Sequence, residues 1–294
     1  MIKKMIEKIK SKCCELNKLK FFGCITIAFI LINIVVTILY SHLPILFDDG
    51  LFSEETFYSS FITNMWNSFI DFLFLTVLVG LFSLIRDNKE AINKQYSEID
   101  NCRYWDEPEA AYKLRARIST LQKYGVKEIN VSCCYMNKII LKDIILENSK
   151  LNAAKMEEIN FRNARFTSCD FRSANLKAAN LIGARFKNCS FINGFFEQSN
   201  LKGAVFEDCS LENVKFDEAN LKNVTFKNCN LNKASFQDSI LDKTNFENSY
   251  NLDIEKVIFA KNIDDVKISS DLLQIVEQNY AEKKARFHAW PKAQ

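Results

Sequence analysis

The sequence is poor in residues that many functional classes require. Its 294 residues include 7 glycines, 3 prolines and 2 histidines, which excludes collagen and the glycine- or proline-rich linker proteins. The scarcity of histidine argues against a histidine-based catalytic or metal centre. The GxxxxGK(S/T), GxSxG and CxxC motifs are also absent. We therefore predict no catalytic residue, no cofactor site and no metal site, and expect a protein that is not an enzyme.

The chain also lacks a strong charge of one sign. It carries 39 Lys and Arg against 36 Asp and Glu, a net charge of +3, which is too small to indicate a nucleic-acid partner by itself. Disorder is excluded because 48% of the residues are hydrophobic and 25 are phenylalanine. The ten cysteines fit either a secreted disulfide framework or free thiols in a reducing compartment.

Two long apolar runs predict a pair of transmembrane helices. Residues 21–43 contain no Asp, Glu, Lys or Arg, and residues 69–85 contain a single charge. About 20 helical residues, at ~1.5 Å each, cross a hydrocarbon core of ~30 Å. We therefore predict membrane helices over 21–43 and 65–85 that form a hairpin in the lipid bilayer, and the first run is too long for a cleaved signal peptide.

Basic residues predict the orientation of this hairpin. Residues 1–20 carry seven lysines, and Arg86, Lys89 and Lys94 follow the second run, whereas the connection 44–64 has four acids and no Lys or Arg. The positive-inside rule then predicts a basic cytoplasmic segment 1–20 and an acidic external loop 44–64. Both termini are expected in the cytoplasm, with the protein in the inner membrane, so the cysteines are expected as free thiols.

Among the polar residues of the predicted spans, Asn33 in the first and Asp71 in the second are the candidates for a functional role. Burying a carboxylate at the bilayer centre costs ~2.5–3.5 kcal/mol on insertion scales. Asp71 lies in the first turn of its run, so one interpretation is that it reaches interfacial water. The other is that Asp71, with Asn33, faces a contact between helices or subunits, or a polar pore. A TVGYG-like filter is absent between the runs, which argues against a tetrameric potassium channel.

Residues 86–125 are predicted to form a helical connector. Residues 86–101 continue the second span, and Asp106 is expected to cap a new helix that ends near Gly125. Its apolar residues recur at helical spacing: Ala111, Leu114, Ile118 and Leu121. Such a stripe is expected to pack against the open end of the following domain or against a second subunit.

The rest of the chain repeats every five residues. Every fifth residue from Phe161 to Phe246 is Phe or Leu, and the residue two before it is nearly always small. The register continues upstream to Val131. This period matches neither the helix nor the strand, so the chain must turn a corner every five residues, with the large and the small residue inside.

Four corners close one coil, and stacked coils then require a 20-residue period. Three columns show it. They are Phe166, Phe186, Phe206, Phe226 and Phe246; Cys169, Cys189, Cys209 and Cys229; and Asn160, Asn180, Asn200 and Asn220. We predict the first two columns as structural core and the asparagines as hydrogen-bond ladders along the rod. Thiols stacked ~4.8 Å apart along a line do not surround a metal tetrahedrally.

The repeat resembles the pentapeptide-repeat family, whose consensus is A(D/N)LXX. Residues 174–178 (ANLKA) and 219–223 (ANLKN) match it closely. The resemblance implies a mainly β protein, with a right-handed quadrilateral β-helix over 126–250. Phe195 departs from the pattern at an outward position, and we predict it as an exposed partner contact. In the remaining residues 251–294 we expect a charged link over 262–267, a capping helix that starts at Ser269–Asp271, and a tail with His288.

Three functions are compatible with some of these features. The first is a non-enzymatic membrane scaffold that presents the rod to a cytoplasmic protein partner. The second is an oligomeric membrane effector, of pore-forming, anti-phage or toxin type, in which the rod acts as sensor or homo-oligomerisation module. The third is the DNA mimicry that the resemblance implies for some soluble members. Residues 131–250 carry 16 basic and 14 acidic residues, whereas a DNA mimic needs a strongly acidic surface, so no nucleic-acid partner is expected.

Overall fold

The computed structural model describes residues 55–279 and 281–289, together with positions 27, 28, 30–32, 34, 35 and 38. The predicted segment 1–20, Asn33 and most of 21–43, and residues 44–54 of the predicted loop lie outside the described residues. The chain divides into two compact units, residues 1–90 and 91–294.

A long helix, α1 (Glu55–Asp100), contains the second predicted span. Its 46 residues correspond to ~69 Å at 1.5 Å per residue. By length and composition, Thr63–Asp100 is the one helix among the described residues that could cross a membrane. The described positions between 27 and 38 are helical, but the two-helix hairpin itself stays a prediction.

The second helix of the predicted connector is confirmed, with its start one residue later than expected. Helix α2 (Pro108–Lys123) has Glu107 at its N-cap and Pro108 in its first turn. Asp106 instead forms an ion pair with Lys155. The buried residues are the predicted stripe with one addition: Ala110, Ala111, Leu114, Ile118 and Leu121.

A parallel β-solenoid follows, with five short strands on one of its faces. They are β1 (Ile145–Glu147), β2 (Arg165–Thr167), β3 (Arg185–Lys187), β4 (Val205–Glu207) and β5 (Thr225–Lys227). Each strand pairs in parallel with the next at a spacing of 20 residues, as in Phe166 with Phe186. The other faces pair through single bridges at the same spacing, such as Asn160 with Asn180. The predicted coil of four pentads is thereby confirmed.

The inward and outward positions also follow the prediction. In each pentad from Cys134 to Asn248 the centre and the residue two before it are buried, as Phe166 and Ala164 are, while the other three positions are exposed or half-buried. The N-terminal end of this core is covered by α2 and by the last residues of α1, since Ile99 and Leu114 belong to the same buried cluster as Ile129 and Val131. The stripe of α2 therefore covers the open end of the solenoid.

The C-terminal end differs from the predicted one. Its elements are α3 (Ile254–Ile258), β6 (Val266–Ile268), α4 (Ser270–Asn279), a 3-10 helix (Ala281–Arg286) and β7 (Phe287–Ala289). Ile240 pairs with Asn262 and Asn245 with Lys267, a spacing of 22 residues. The expectation of a charged link over 262–267 is therefore wrong, because two inserted residues shift the five-residue register but the backbone resumes parallel pairing.

The predicted capping helix is confirmed as α4. The Ser269 side-chain oxygen accepts a hydrogen bond from the Leu272 N–H at 3.4 Å, which stabilises the start of this helix. Val276 is fully buried, and β7 pairs in parallel with β6. These elements belong to the same buried cluster as the last coils, so they close the second end of the solenoid.

Candidate interaction surface

The predicted phenylalanine column fills the interior of the solenoid. Successive rings from Phe166 to Phe246 lie 5.1, 4.8, 5.2 and 5.3 Å apart, with planes within 17° of parallel. Rings from the neighbouring face contact the column edge-on, as Phe171 contacts Phe166 at 5.1 Å. Since this interior is packed with side chains, an interaction with another molecule has to use the outer surface or the ends.

The predicted cysteine column is buried beside these rings. Cys169, Cys189, Cys209 and Cys229 are at most 3% exposed and are free thiols. Each donates to backbone carbonyls, as Cys189 does to Phe166 O at 3.6 Å and Lys187 O at 3.3 Å. A hydrogen bond with the Cys189 thiol, together with burial, raises the pKa of Cys169. Within the described residues, no group of His, Cys, Asp or Glu could hold a metal ion.

The corners between faces use a backbone conformation that the sequence analysis missed. The second residue after each pentad centre has a positive φ, from Cys133 to Asn248, with values of 50–61° for the non-glycine residues. Asn, Asp and Gly tolerate this region best. They occupy 13 of the 24 corner positions, which is the signal that could have identified the corners.

The asparagine column does not form the predicted ladders. Asn160, Asn180, Asn200 and Asn220 each accept a hydrogen bond on their side-chain oxygen from the N–H two residues later, at 3.2–3.4 Å. The reason is geometric: an Asx turn stabilises the approach to the next corner locally. Ladders between coils occur at the corners instead, as from Asn213 to Asn193 at 2.7 Å and from Asn228 to Asp208 at 3.0 Å.

Ion pairs also join neighbouring coils on the outer surface. Lys127 contacts Glu147 at 2.8 Å, Lys187 contacts Glu207 at 3.2 Å, and Lys222 contacts Asp242 at 3.5 Å. These side chains are half-buried or exposed, and such pairs contribute ~0–1 kcal/mol each. Arg162, Arg165, Arg185 and Lys202 carry neither a side-chain hydrogen bond nor an ion pair within the described part of the chain.

One of the four outer faces carries the asparagine column, and we call it the asparagine face. In each coil its outward residues are the asparagine and, two positions later, Arg162, Ile182, Lys202 or Lys222. The preceding corner holds Glu158, Ala178, Gln198 and Glu218 in successive coils, and Glu197 lies next to it. The asparagine face therefore has an acidic edge on one side and a basic column on the other.

Phe195 is less exposed than predicted. It lies in an outward position, where its backbone pairs with Asn175 and Lys215 of the neighbouring coils. Its ring is half-buried, and the Lys215 ammonium lies 5.5 Å from the ring centroid, within the range of a cation–π interaction. Phe195 thus already has an intramolecular contact on one side, and its proposed role as a partner contact is untested.

Asp71 and Asn33 are not brought together within the described residues. Asp71 is exposed on α1 and has exposed apolar residues beside it on the same side, Ile70, Phe74 and Leu75. Its carboxylate thus points away from the half-buried side of the helix, to which Phe72 and Thr76 belong. Asn33 lies outside the described residues.

The N-terminal end of the solenoid holds the most perturbed thiol outside the column. Tyr96 of α1 donates to Glu128 O at 2.8 Å, and Arg103 donates to Ser132 O at 3.0 Å. Cys134 is fully buried beneath these contacts, and burial raises the pKa of its thiol from 9.0 to about 12. A thiol in this state is protonated at neutral pH and is a poor nucleophile.

His288, which the sequence analysis placed in a tail, has a defined partner. Because β7 pairs with β6, the Nε2 atom of His288 lies 3.2 Å from Asp265 Oδ1. Both side chains are more than half exposed. Only the tertiary pairing of these strands brings the two residues together, since they are 23 residues apart.

Comparisons with known proteins agree with this geometry over the solenoid. A family model described as the pentapeptide repeat region matches residues 179–255. A second model, described as the SV2A/B/C luminal domain, matches residues 119–216. No curated protein sequence matches the chain significantly.

Solved structures of repeat proteins resemble about half of this chain. Full-length QnrB1, described as a plasmid-mediated fluoroquinolone resistance protein, is 16% identical, with 49% of this chain and 98% of that chain covered and a TM-score of 0.22. A pentapeptide repeat protein from the Arabidopsis thaliana thylakoid lumen is 21% identical, with 49% and 83% covered and a TM-score of 0.25.

HetL, a pentapeptide repeat protein involved in heterocyst differentiation regulation from the cyanobacterium Nostoc sp. strain PCC 7120, is 14% identical. The match covers 51% of this chain and 95% of HetL, with a TM-score of 0.22. Similarities at this level do not transfer a function.

Proposed function

Because this chain belongs to the pentapeptide-repeat family, we propose that it is a non-enzymatic membrane scaffold whose solenoid presents its outer surface to a cytoplasmic protein partner. The proposal includes the hairpin of two spans, 21–43 and 65–85, in the inner membrane, with both termini in the cytoplasm. It also includes the division of the chain into the predicted segments, from the basic segment 1–20 to the C-terminal cap 251–294.

One observation carries the membrane part of this proposal. The most apolar 18-residue window of α1 is 0% buried, and Phe74 and Phe82 are 66% and 69% exposed. A core helix of a water-soluble domain would have these side chains covered, because each large apolar side chain gains ~1.5–3 kcal/mol on leaving water. A lipid bilayer supplies that cover without a protein partner.

The scaffold part rests on the construction of the solenoid. The interior is packed with aromatic rings, both ends are covered, and corner and ion-pair ladders join successive coils. Such a rod is stiff and presents polar side chains at regular spacing, which suits it to binding a protein surface rather than to a chemical reaction.

The experiment is to test membrane insertion by substitution within α1. Val77→Lys combined with Leu81→Lys places two charges in the middle of the apolar segment, at ~2.5–3.5 kcal/mol each on insertion scales. We expect this span to stop inserting, so that the proposed first span, 21–43, holds the chain and leaves a C-terminal alkaline-phosphatase fusion on the outer side of the membrane, where it is active. The matched control, Asn88→Lys with Asn93→Lys, adds the same charge beyond the apolar segment of α1 and should keep the fusion in the cytoplasm and inactive. A wild-type chain that alkaline carbonate extracts completely would refute the anchor.

The alternative function, an oligomeric membrane effector, is favoured by one observation, the exposed carboxylate of Asp71 within the apolar part of α1. An exposed carboxyl group within the apolar part of a membrane helix would suit a contact between subunits or a polar pore. If the effector function holds, induced expression should depolarise the membrane, and Asp71→Leu should abolish the depolarisation. A scaffold should leave the membrane potential unchanged in both cases.

A further inference from the structure

The asparagine face has a charge pattern that is complementary to itself. In the first and the last of its four coils an acidic corner residue comes first, the asparagine next and a basic residue last, whereas the second coil has Ala178 and Ile182 at the two outer positions. Glu158 and Arg162 belong to one coil, and Glu218 and Lys222 belong to another. The pattern therefore runs in the same direction at two heights along the rod.

We propose that the asparagine face binds the same face of a second copy of this chain, with the two solenoids parallel and related by a twofold axis along their length. This rotation exchanges the two edges but keeps each coil at its own height. The acidic edge of one copy then faces the basic column of the other. An antiparallel dimer through this face would bring edges of like charge together, which costs free energy.

Some of the charged groups on this face are unpaired and others would have to exchange a partner. Arg162 and Lys202 have no side-chain partner within the described residues. Glu158 contacts Lys138 at 3.4 Å, Glu218 accepts a hydrogen bond from Gln198 at 3.0 Å, and Lys222 contacts Asp242 at 3.5 Å. Each of these three would exchange its present contact for one across the interface. The four asparagines use their oxygens in local turns, which leaves their amide N–H groups free to donate. Arginine and lysine paired with carboxylates form strong, directional contacts.

The asparagine face also carries few large side chains between its acidic edge and its basic column. The corners beside the basic column include Gly183 and Gly203 in adjacent coils. Within the four coils that carry the asparagines, Ile182 is the one large apolar side chain at the outward positions and is half-buried, while Ile140 and Ile240 take the asparagine position in the flanking coils. No bulky side chain therefore keeps two such faces apart.

This dimer is expected to be weak for free chains. The four coils that carry the asparagine column span three intervals of ~4.8 Å, or ~14 Å, so the buried area is well below the ~800 Å² per partner of a stable interface. Tethering both copies to one membrane would raise their effective concentration, and in this respect the inference rests on the proposed membrane anchor. Because the contacts are between exposed charges, they should weaken with increasing salt.

The test uses charge reversal on full-length chains with C-terminal fluorescent-protein fusions in liposomes. One variant carries Arg162→Glu and Lys222→Glu, and the other carries Glu158→Lys and Glu218→Lys. Either variant alone should show at least ~10-fold weaker association by energy transfer, and mixing the two should restore the transfer. The matched control, Arg172→Glu with Lys233→Glu, alters the opposite face by the same charge and should associate like the wild type.

Three results would overturn the proposal. They are an absence of energy transfer for the wild type in liposomes, a mixture of the two variants that does not recover it, and a control that loses it equally. Pelleting of each variant with the liposomes is measured separately. Failure of the membrane anchor would appear there as soluble protein, whereas failure of the interface would leave every variant in the pellet.

Discussion

Helix α1 and the solenoid place the same residue type in opposite environments. Phe74 and Phe82 of α1 are 66% and 69% exposed, whereas Phe166 and Phe206 of the solenoid are at most 1% exposed. The phenylalanine count of the whole chain hides this difference. The spacing of apolar residues, rather than their number, therefore indicates whether they pack into a core of the same domain or are exposed on a helix surface.

The largest expected effect comes from removing one ring of the phenylalanine column. Phe206→Ala should lower the free energy of unfolding of the solenoid by ~3–5 kcal/mol, because the ring stacks between Phe186 and Phe226 at 4.8 and 5.2 Å. Phe82→Ala should change it by less than ~0.5 kcal/mol. Denaturant unfolding of the full chain in detergent, followed by far-UV circular dichroism, measures both values. Equal losses for the two variants would contradict the comparison.

A second prediction concerns a polar group held in the buried interior. Burial raises the pKa of Cys134 from 9.0 to about 12, so the folded state keeps a proton that the unfolded state loses. Its contribution to stability is therefore present below about pH 9 and is lost as the pH rises toward about 12. Cys134→Ala should reduce the fall in unfolding free energy across this window.

The control for this prediction is Ser132→Ala. Ser132 is buried close to Cys134 in the chain but has a hydroxyl that does not ionise in this range, so the alanine variant should follow the wild-type pH dependence. Unfolding free energies at pH 8 and pH 10.5 provide the comparison. A Cys134→Ala chain with the full wild-type decrease would show that the buried thiol does not contribute.

The smallest expected effect on stability concerns the two glycine corners. Gly203 has a φ of +69°, with open space where a Cβ would lie, so Gly203→Ala should cost about 1 kcal/mol of backbone strain. Gly183→Ala should cost more, because its Cβ would lie 2.8 Å from Asn163 Oδ1. Thermal unfolding of the two variants side by side measures the difference. A larger loss for Gly203→Ala would contradict this account of the corners.

Much of the solenoid could be predicted because its five-residue period repeats many times. The buried centres, the small inward partners and the 20-residue stacking of the cysteine and phenylalanine columns all follow from that period. The prediction of asparagine ladders was wrong because the side-chain oxygen of an asparagine can accept a hydrogen bond within its own turn. Periodicity alone does not distinguish such a local hydrogen bond from one between coils. The positive φ of the corners was not predicted because the thirteen Asn, Asp and Gly residues that favour it alternate irregularly with eleven other residues.

The candidate surface was less predictable than the core. Phe195 was identified by its type, but the cation above its ring depends on Lys215 in the next coil. The complementary edges of the asparagine face use residues whose spacing has meaning only after the coil is closed. The register beyond residue 250 was lost because two inserted residues interrupt the period without ending the parallel pairing.

The sequence by itself determined the coil, its interior and the apolar character of α1, since these depend on the alternation of apolar and polar residues along the chain. Only the tertiary structure decided which outer side chains become neighbours. Glu158 meets Lys138 and His288 meets Asp265 because stacking coils and pairing strands bring distant residues within hydrogen-bond range. Side-chain interactions of this kind fall off over a few ångströms, so they depend on three-dimensional distance and not on separation along the chain.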